Sequence, residues 1–178
     1  MITFQVHSRT AWSDYFTGSP TVYQTNTYET RQTPSDSNLH ILKCLFKSIT
    51  STSDGGALYS SNSVTNLLIE STSFFSCKTS GSYGAIYFYH SSGESVLYGV
   101  CGYDCSANTN NQFGYIRVNN NPTSRNNVNY SSIVRCVNVN SNSNYILRLS
   151  NGKDCCQSIN ISTNKCYYRL IYFFIYQD

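Results

Sequence analysis

The chain has 178 residues, of which 12% are charged, and its formal net charge of +3 is spread along the sequence without a run of Lys or Arg. A dispersed charge of this size is typical of a solvated surface and disfavours a nucleic-acid or membrane-surface interface. Ser and Asn are abundant while Ala occurs four times, so the composition disfavours helices, and the many Tyr, Phe, Val, Ile and Thr residues favour an all-β fold.

The N-terminal segment does not repeat in any later part of the chain. It contains the turn signals TGSP and QTPSDSN. Its start lacks the basic segment and the continuous apolar run of a secretory signal. We predict that residues 1–36 form an N-terminal cap or non-repeat segment and that residues 37–178 form a repeat region.

A repeat begins in the following segment. The sequence GALY at residues 56–59 returns as GAIY at residues 84–87. A period of this size, built from strand-forming residues without a helical pattern, is typical of a solenoid in which each repeat makes one turn. Polar linkers such as STSDG and KTSGS separate the strand-like segments and suit the loops of such a fold.

Each repeat contains a triplet in which apolar and polar residues alternate. Because side chains alternate between the two faces of a strand, the outer members of each triplet should face the core and the central member should face solvent. The triplets begin at Leu58, Ile86, Ile116 and Leu147, so their spacing increases slightly along the chain. We expect these four residues to form one internal column, and we place a weaker fifth copy at residues 168–170.

A second strand-like segment precedes each triplet, at residues 39–46, 67–75, 96–103 and 128–139. In this segment we align Ile41 and Ile69 with Tyr98, and Phe46 and Phe74 with Tyr103. The repeats together predict an all-β fold, a right-handed parallel β-helix (solenoid) of four to five coils of about 28–31 residues.

Glycines lie next to the triplets or at the corners before them. Such corners require a positive φ or a close approach of two backbones, which glycine alone tolerates without strain. We predict a structural role for the repeat glycines Gly55, Gly56, Gly84 and Gly114.

The motifs GGAL at residues 55–58 and YGAI at residues 83–86 follow Phe46 and Phe74 at a constant distance. This pattern resembles the GGA-I/L/V plus F-x-x-N repeats of polymorphic outer-membrane proteins. The chain is also similar to the large Cys-, Ser- and Asn-rich right-handed β-helix surface proteins of some protists. The resemblance implies a pectin lyase-like β-helix that is exposed at the cell surface or is extracellular and is used in adhesion or display. It carries over no catalytic residue.

Eight cysteines raise the question of metal binding or disulfides. The spacings Cys101-x-x-x-Cys105 and Cys155-Cys156 lack the matching pair or histidine partner of a zinc site. Cys77 lies one repeat before Cys105, so we expect the two residues in adjacent coils. There they could be buried free thiols or could form a disulfide. We predict no metal and no cofactor.

Cleavage of an acidic polysaccharide by a β-helix enzyme requires clustered carboxylates and a basic residue. The candidate carboxylates are dispersed singly, at Asp54, Glu70, Glu94, Asp104 and Asp154. The three histidines are far apart in sequence and have no nucleophile motif beside them. We predict that the protein is not an enzyme.

The outward members of the triplets are the candidate binding face, namely Tyr59, Tyr87, Arg117 and Arg148. Flat aromatic and guanidinium groups suit sugar rings or a partner protein, and they also stack on one another when they merely cover a sheet. Two sequons, at Asn129 and Asn160, are candidate glycosylation sites in an exported protein.

The leading hypothesis is a non-enzymatic surface or secreted β-solenoid module for adhesion, display or structure. The alternatives are a polysaccharide lyase or hydrolase of the pectate-lyase-like type and a carbohydrate-binding module. The expected partners are a carbohydrate or a surface protein of a host or partner, with no nucleic acid and no membrane span in this chain. Because residues 170–176 are apolar and no cap sequence follows them, we also expect self-association through the C-terminal coil.

Overall fold

The computed structural model describes residues 11–137, 144–166 and 169–174. Within these residues one turn of 3-10 helix, Trp12–Asp14, precedes twenty β-strands. In chain order the strands are β1 Thr21–Gln24, β2 Thr27–Tyr28, β3 Asn38–Leu42, β4 Leu45–Lys47, β5 Thr50–Ser51, β6 Leu58–Ser61, β7 Asn66–Glu70, β8 Ser73–Phe75, β9 Lys78–Ser82, β10 Ile86–Tyr89, β11 Glu94–Tyr98, β12 Cys101–Tyr103, β13 Ser106–Thr109, β14 Asn111–Arg117, β15 Arg125–Asn129, β16 Ser132–Val134, β17 Tyr145–Ser150, β18 Lys153–Gln157, β19 Asn160–Ser162 and β20 Arg169–Phe174.

The strands form four parallel sheets, in which each strand pairs with its counterparts in the preceding and following turns. Sheet A has the order β1-β3-β7-β11-β15-β18, sheet B β2-β4-β8-β12-β16-β19, sheet C β6-β10-β14-β17-β20 and sheet D β5-β9-β13. In the first three turns after β2 the chain passes through sheets A, B, D and C, and the later described strands belong to sheets A, B and C. The predicted all-β solenoid is therefore confirmed, with about four turns. Its right-handedness stays a prediction.

Single residues with positive φ make two corners of the coil. Between sheets A and B they include Lys43, Ser71, Gly99 and Tyr130, and between sheets B and D they include Ser48, Ser76, Asp104 and Arg135. The left-handed conformation costs a residue other than glycine about 1–2 kcal/mol. Each corner N–H donates to a carbonyl of the next turn, as from Lys43 to Glu70 at 3.0 Å, and this bond offsets the strain.

The internal column on sheet C differs from the predicted one at a single place. Leu58 pairs with Ile86, as predicted, but Ile86 pairs with Gly114, and Ile116 pairs with Phe88. The predicted position of Ile116 is therefore wrong by two residues. A shift of two residues preserves which side chains point inward, so the alternation of apolar residues cannot reveal it.

The fifth copy of the triplet lies further along the chain than predicted. Leu147 pairs with Ile171 in β20, so the fifth triplet begins at Ile171. The predicted triplet at residues 168–170 is wrong in register, and its first residue lies outside the described residues. The predicted self-associating segment, residues 170–176, also lies partly outside them.

In sheet A the alignment differs from the prediction by one residue. Leu97, not Tyr98, pairs with Ile69 behind Ile41, and its side chain is buried in the core. Tyr98 pairs with Glu70 and lies on the outer face. Because a shift of one residue inverts every side chain, the burial of Leu97 decides this register.

An aromatic column on sheet B begins with three stacked rings. Tyr28 stacks on Phe46 and Phe46 on Phe74, each with ring centroids 4.8 Å apart. The prediction continued this column with Tyr103, but Phe74 pairs with Gly102. Tyr103 instead pairs with the exposed Phe75. The third complete turn therefore lacks a side chain where the two turns before it have a phenylalanine.

Phe113, from the opposite sheet, fills this space. The N–H of Ala57 donates to the carbonyl of Ala85, and the N–H of Ala85 donates to the carbonyl of Phe113. Phe113 therefore takes the position that an alanine has in each of the two turns before it. Its ring meets Phe74 edge-on at 5.9 Å, and a Cβ added at Gly102 would overlap it. The third turn thus exchanges a large and a small side chain between two sheets and keeps the core filled.

Three of the predicted structural glycines lie at the corner before sheet C, and the fourth lies within that sheet. A Cβ at Gly56 would overlap the carbonyl oxygen of Gly84, and a Cβ at Gly84 would overlap that of Gln112. Gly55 has a positive φ of 65° beside them. Gly114 does not lie at this corner, since it belongs to the internal column of sheet C.

The N-terminal segment lies beside the coil. Strands β1 and β2 add an incomplete turn to sheets A and B. Before them, Trp12 and Phe16 pack against Leu68 and Val96, which point outward from sheet A. This segment therefore covers an outer face of the solenoid. No helix in the described part of the chain is long and apolar enough to cross a membrane.

Candidate functional site

The outer face of sheet C carries a column of aromatic and guanidinium groups. Each turn contributes one residue at the same register, and the column is Tyr59, Tyr87, Tyr115, Arg148 and Tyr172. Three further residues contact this column, and all eight together are termed the aromatic ladder; the additional members are Arg31, Tyr83 and Tyr145.

The first half of the ladder consists of stacked tyrosines. The ring centroids of Tyr59 and Tyr87 are 5.0 Å apart and their planes differ by 14°. Tyr83 stacks on Tyr87 at 5.1 Å and on Tyr115 at 5.2 Å. The guanidinium of Arg31 lies 4.7 Å from the centroid of the Tyr59 ring and covers the end of the stack. Parallel register places the rings on top of each other because equivalent residues of adjacent turns face the same way.

The second half of the ladder alternates a cation with aromatic rings. The Arg148 guanidinium lies 5.2 Å from the Tyr115 centroid and 5.5 Å from the Tyr172 centroid. Tyr145 stacks on Tyr172 at 4.7 Å. Contacts of this kind contribute about 0.5–1 kcal/mol each at exposed sites. The ladder therefore connects the incomplete first turn with the last described strand.

Arg117, predicted as part of this column, does not belong to it. Tyr115 holds the predicted position, and Arg117 pairs with Tyr89, whose ring centroid lies 5.2 Å from the guanidinium. The sequence does contain a signal for the correct residue, since Tyr59, Tyr87 and Tyr115 follow one another at equal intervals. An alignment of the apolar residues places Arg117 in the column, whereas an alignment of the tyrosines places Tyr115 there.

The ladder presents ring edges to a ligand. Neighbouring rings and guanidinium groups occupy the faces of the stacked tyrosines, and Tyr115 is only 9% exposed. A sugar ring stacks on an aromatic face, so this arrangement favours packing between turns over sugar binding. Tyr83 and Arg31 come from connecting segments outside the strands, where no repeat pattern could identify them.

Burial is the main reason why the Tyr87 and Tyr83 phenols resist ionisation. Burial, followed by the nearby Tyr83 and Tyr59 phenols, raises the pKa of Tyr87 from 10.0 to about 12. Burial, followed by Tyr115, likewise raises the pKa of Tyr83. The folded state therefore retains these protons at a pH where the unfolded chain has lost them.

We expect the protein to lose stability as the pH rises through 10.0 towards 12, because the unfolded state binds fewer protons than the folded state in that window. The contribution of Tyr87 is fully present below its unfolded pKa and is lost as the pH passes its folded pKa. Urea midpoints measured across this range should fall, and they should fall less steeply in Tyr87→Phe. Parallel curves for the two proteins would contradict the prediction.

The candidate carboxylates of sheet A are tied to neighbouring turns. Glu70 is 2% exposed, and its Oε2 lies 3.2 Å from Nε2 of His40. Glu94 Oε2 accepts a hydrogen bond from Nη1 of Arg125 at 2.8 Å. The side chain of Asp154 lies outside the described residues.

The remaining two carboxylates lie at other corners. Asp104 Oδ2 accepts hydrogen bonds from Ser76 at 2.8 Å and from Lys78 at 3.1 Å. Partial burial opposes ionisation of Asp104, but these two hydrogen bonds together with the charges of Lys78 and Arg135 outweigh it and lower its pKa. Asp54 Oδ1 accepts the backbone N–H of Ser82 at 2.8 Å. Each of these bonds joins two successive turns.

The four candidate carboxylates whose side chains are described thus serve as separate ties between turns. Within the described ranges, no group of three or more His, Cys, Asp and Glu side chains could hold a metal ion. The arrangement can hold adjacent turns in register through charge-assisted hydrogen bonds.

Three buried cysteines stack along the core after the second corner of successive turns. All eight cysteines are free thiols, and those of Cys77, Cys105 and Cys136 donate to backbone carbonyls, as from Cys105 to Phe74 at 3.5 Å. The neighbouring Cys105 thiol, followed by burial, raises the pKa of Cys77 and of Cys136. Burial opposes ionisation of Cys105, yet the flanking thiols of Cys136 and Cys77 lower its pKa. The thiols fill the core as small side chains.

The two sequons lie in different environments. Asn129 is 9% exposed, and its Oδ1 accepts the N–H of Gln157 at 3.2 Å, so a glycan there would displace a tie between turns. Asn160 is exposed in β19. Of the two, Asn160 is the accessible acceptor.

Comparison of the chain with family models, with curated proteins and with solved structures finds no match. The resemblance drawn from the repeat motifs stays a prediction. Functional inference therefore depends on the geometry of the side chains described above.

Proposed function

We propose that this chain is a non-enzymatic structural module, a β-solenoid spacer that stands at a cell surface or outside the cell. The observation that carries the proposal is the use of the candidate carboxylates as ties between turns. A second observation, the aromatic ladder, supports it because its contacts run through every turn.

Acid–base cleavage of a glycosidic bond needs two carboxyl groups on opposite sides of one bond, about 5–10 Å apart. Glu70 is buried on the outer face of sheet A, close to the N-terminal segment. Asp104 lies at the corner between sheets B and D, and Asp54 lies in the connection from sheet D to sheet C. Glu70 therefore lies on a different sheet from Asp104 and Asp54, and these two lie at opposite ends of the strands of sheet D.

The aromatic ladder suits a mechanical role. In a solenoid each turn contacts only its neighbours, so the stability of the array depends on the interface between adjacent turns. A stacked aromatic pair adds about 0.5–1.5 kcal/mol to such an interface. Repeating this contact along sheet C makes the module resist separation of its turns.

Placement outside the cell is supported by the resemblance of the repeats to surface β-helix proteins and by the exposed sequon at Asn160. Adhesion or display would use the outer faces as a docking surface for a surface protein, or for a second copy of the chain at the C-terminal coil. A carbohydrate ligand has less support, since the faces of the stacked ladder rings are occupied.

The proposal predicts no cleavage of pectin-like polysaccharides, with or without calcium. Incubation of the purified chain with polygalacturonate, followed by measurement of reducing ends and of unsaturated products, should give the background rate. Asp104→Ala should leave this background unchanged and should lower Tm, because it removes a tie between turns.

The matched control is Asp36→Ala, which changes an exposed carboxylate away from these ties. Its Tm should stay close to that of the wild type. Turnover that Asp104→Ala alone abolishes would overturn the proposal and favour the lyase alternative. Saturable glycan binding that Tyr87→Ala removes would favour the carbohydrate-binding alternative.

A further inference from the structure

The aromatic ladder brings oxidisable side chains into contact across adjacent turns. We propose that the outer face of sheet C is a site of oxidative tyrosine cross-linking, in which a peroxide-driven one-electron oxidant joins Tyr59 to Tyr87. The new bond forms between the ring carbons ortho to the two hydroxyl groups. It joins the first complete turn of the solenoid covalently to the second.

The geometry selects this pair. Tyr59 and Tyr87 are register partners in β6 and β10, and their rings lie 5.0 Å apart with planes 14° from parallel. Arg31 covers the opposite side of the Tyr59 ring, which leaves Tyr87 as its aromatic neighbour among the described residues. Both tyrosines are partly exposed, so a soluble oxidant can reach the edges of the rings.

Other described tyrosine pairs are further from parallel, including Tyr145 and Tyr172, whose rings lie closer at 4.7 Å but have planes 27° apart. Tyr98 and Tyr130 are 5.2 Å apart, but their planes differ by 57°. Tyr83 lies 5.1 Å from Tyr87 with planes 26° apart, and it occupies a corner with a positive φ of 65°. Because Tyr83 also stacks on Tyr115, it has less freedom to turn an ortho carbon towards Tyr87. The Tyr59 ring, in contrast, is held on one strand and stacks on Tyr87 alone among the described tyrosines.

The reaction balances with hydrogen peroxide as the terminal oxidant. Each of the two phenols loses one electron and one proton, and one molecule of peroxide takes up both electrons and both protons to give two molecules of water. The two phenoxyl radicals then couple through their ortho carbons. The two ortho hydrogens move to the oxygens, which restores both hydroxyl groups in the joined product.

A cross-link here has a structural consequence. It restrains the unfolded chain between two turns, as a disulfide of the same loop length would, and so favours the folded state. The backbone register already holds the two side chains together, so the reaction requires no movement of the strands. Oxidation therefore converts a stacking contact into a covalent tie on the same face.

The test treats the full chain with a haem peroxidase and hydrogen peroxide, followed by digestion and mass spectrometry. The expected product is a peptide pair joined at Tyr59 and Tyr87 and two hydrogens lighter than its separate parts. Dityrosine fluorescence should appear at a rate per molecule that does not depend on protein concentration. The oxidised monomer should have a higher Tm than the untreated one.

The decisive variant is Tyr87→Phe, which keeps the ring and removes the hydroxyl group, so the fold is expected to persist. This variant should lose the cross-linked peptide, whereas the matched control Tyr98→Phe should retain it. Circular dichroism of both variants reports whether the fold is intact. A second variant, Tyr59→Phe, should reproduce the loss independently.

Three results would overturn the proposal. One is dityrosine that forms only between molecules, with a rate per molecule that rises with concentration. Another is a folded Tyr87→Phe protein that yields as much cross-linked product as the wild type. The third is a monomeric product that joins Tyr98 to Tyr130, or Tyr83 to Tyr87, in place of Tyr59 to Tyr87.

Discussion

Replacement of Phe113 by alanine is expected to lower the free energy of unfolding by about 3–5 kcal/mol, the range for deleting a buried phenylalanine ring. The ring is fully buried and fills the space that Gly102 leaves in the aromatic column of sheet B. No side chain at Gly102 can move into the resulting cavity. Urea denaturation followed by circular dichroism would measure the loss.

A double-mutant cycle makes this prediction specific. Gly102→Phe alone places a ring where the Phe113 ring already lies and should also be strongly destabilising. The two substitutions together recreate the preceding turn, where Phe74 faces the core on sheet B and Ala85 lies opposite it, directly before β10. We therefore expect the double variant to be more stable than either single variant.

The control for this cycle is Phe75→Ala, which removes a ring that is 47% exposed and stacks on Tyr103. Its effect should be smaller than that of Phe113→Ala. If the destabilisation of the double variant equals the sum of the two single effects, the two sites are independent. Phe113 would then not be the side chain that compensates for Gly102.

Ile86→Asp should have the other large effect and should abolish cooperative folding of the turns around it. Burial of an isoleucine side chain contributes about 1.5–3 kcal/mol, and the variant also places a carboxylate in the core without a partner. Ile86 is fully buried between Leu58 and Gly114 in the internal column. Thermal unfolding followed by circular dichroism would show the loss of the transition.

The matched substitution is Val22→Asp, which introduces the same side chain on a strand where valine is 45% exposed. We expect it to change the free energy of unfolding by no more than about 0.5 kcal/mol, as is usual for surface positions. An Ile86→Asp protein that melts cooperatively at the wild-type temperature would show that the column is not part of the core.

Much of the architecture is predictable because it depends on local properties of the chain. The return of GALY at residues 56–59 as GAIY at residues 84–87 predicts the length of a turn. The alternation within the triplets predicts which side chains face the core, and Leu58, Ile86 and Leu147 are all buried as expected. Abundant serine suits the corners, where Ser48, Ser71, Ser76 and Ser158 adopt a positive φ.

The sequence predicted that tyrosine and arginine side chains form the candidate site, but it did not identify every residue of that site. Tyr59, Tyr87 and Arg148 share one column, as their triplets indicated, while Tyr115 replaces Arg117. Tyr83 comes from a corner, and its contacts with two strands depend on how the chain turns there. Nothing in the repeat pattern specifies such a contact.

The sequence by itself determined the all-β class, the length of the turn and the parity of the strands, because composition and short periods are local properties. The tertiary structure alone decided that Phe113 fills the space beside Gly102, and it places Gly114, not Ile116, after Ile86 in the internal column. It also decided that Glu70 meets His40 and that Asp104 meets Lys78. Such pairings depend on how linkers of variable length bring distant residues into contact across turns. The alternation of inward and outward side chains along a strand does not specify which residues meet in this way.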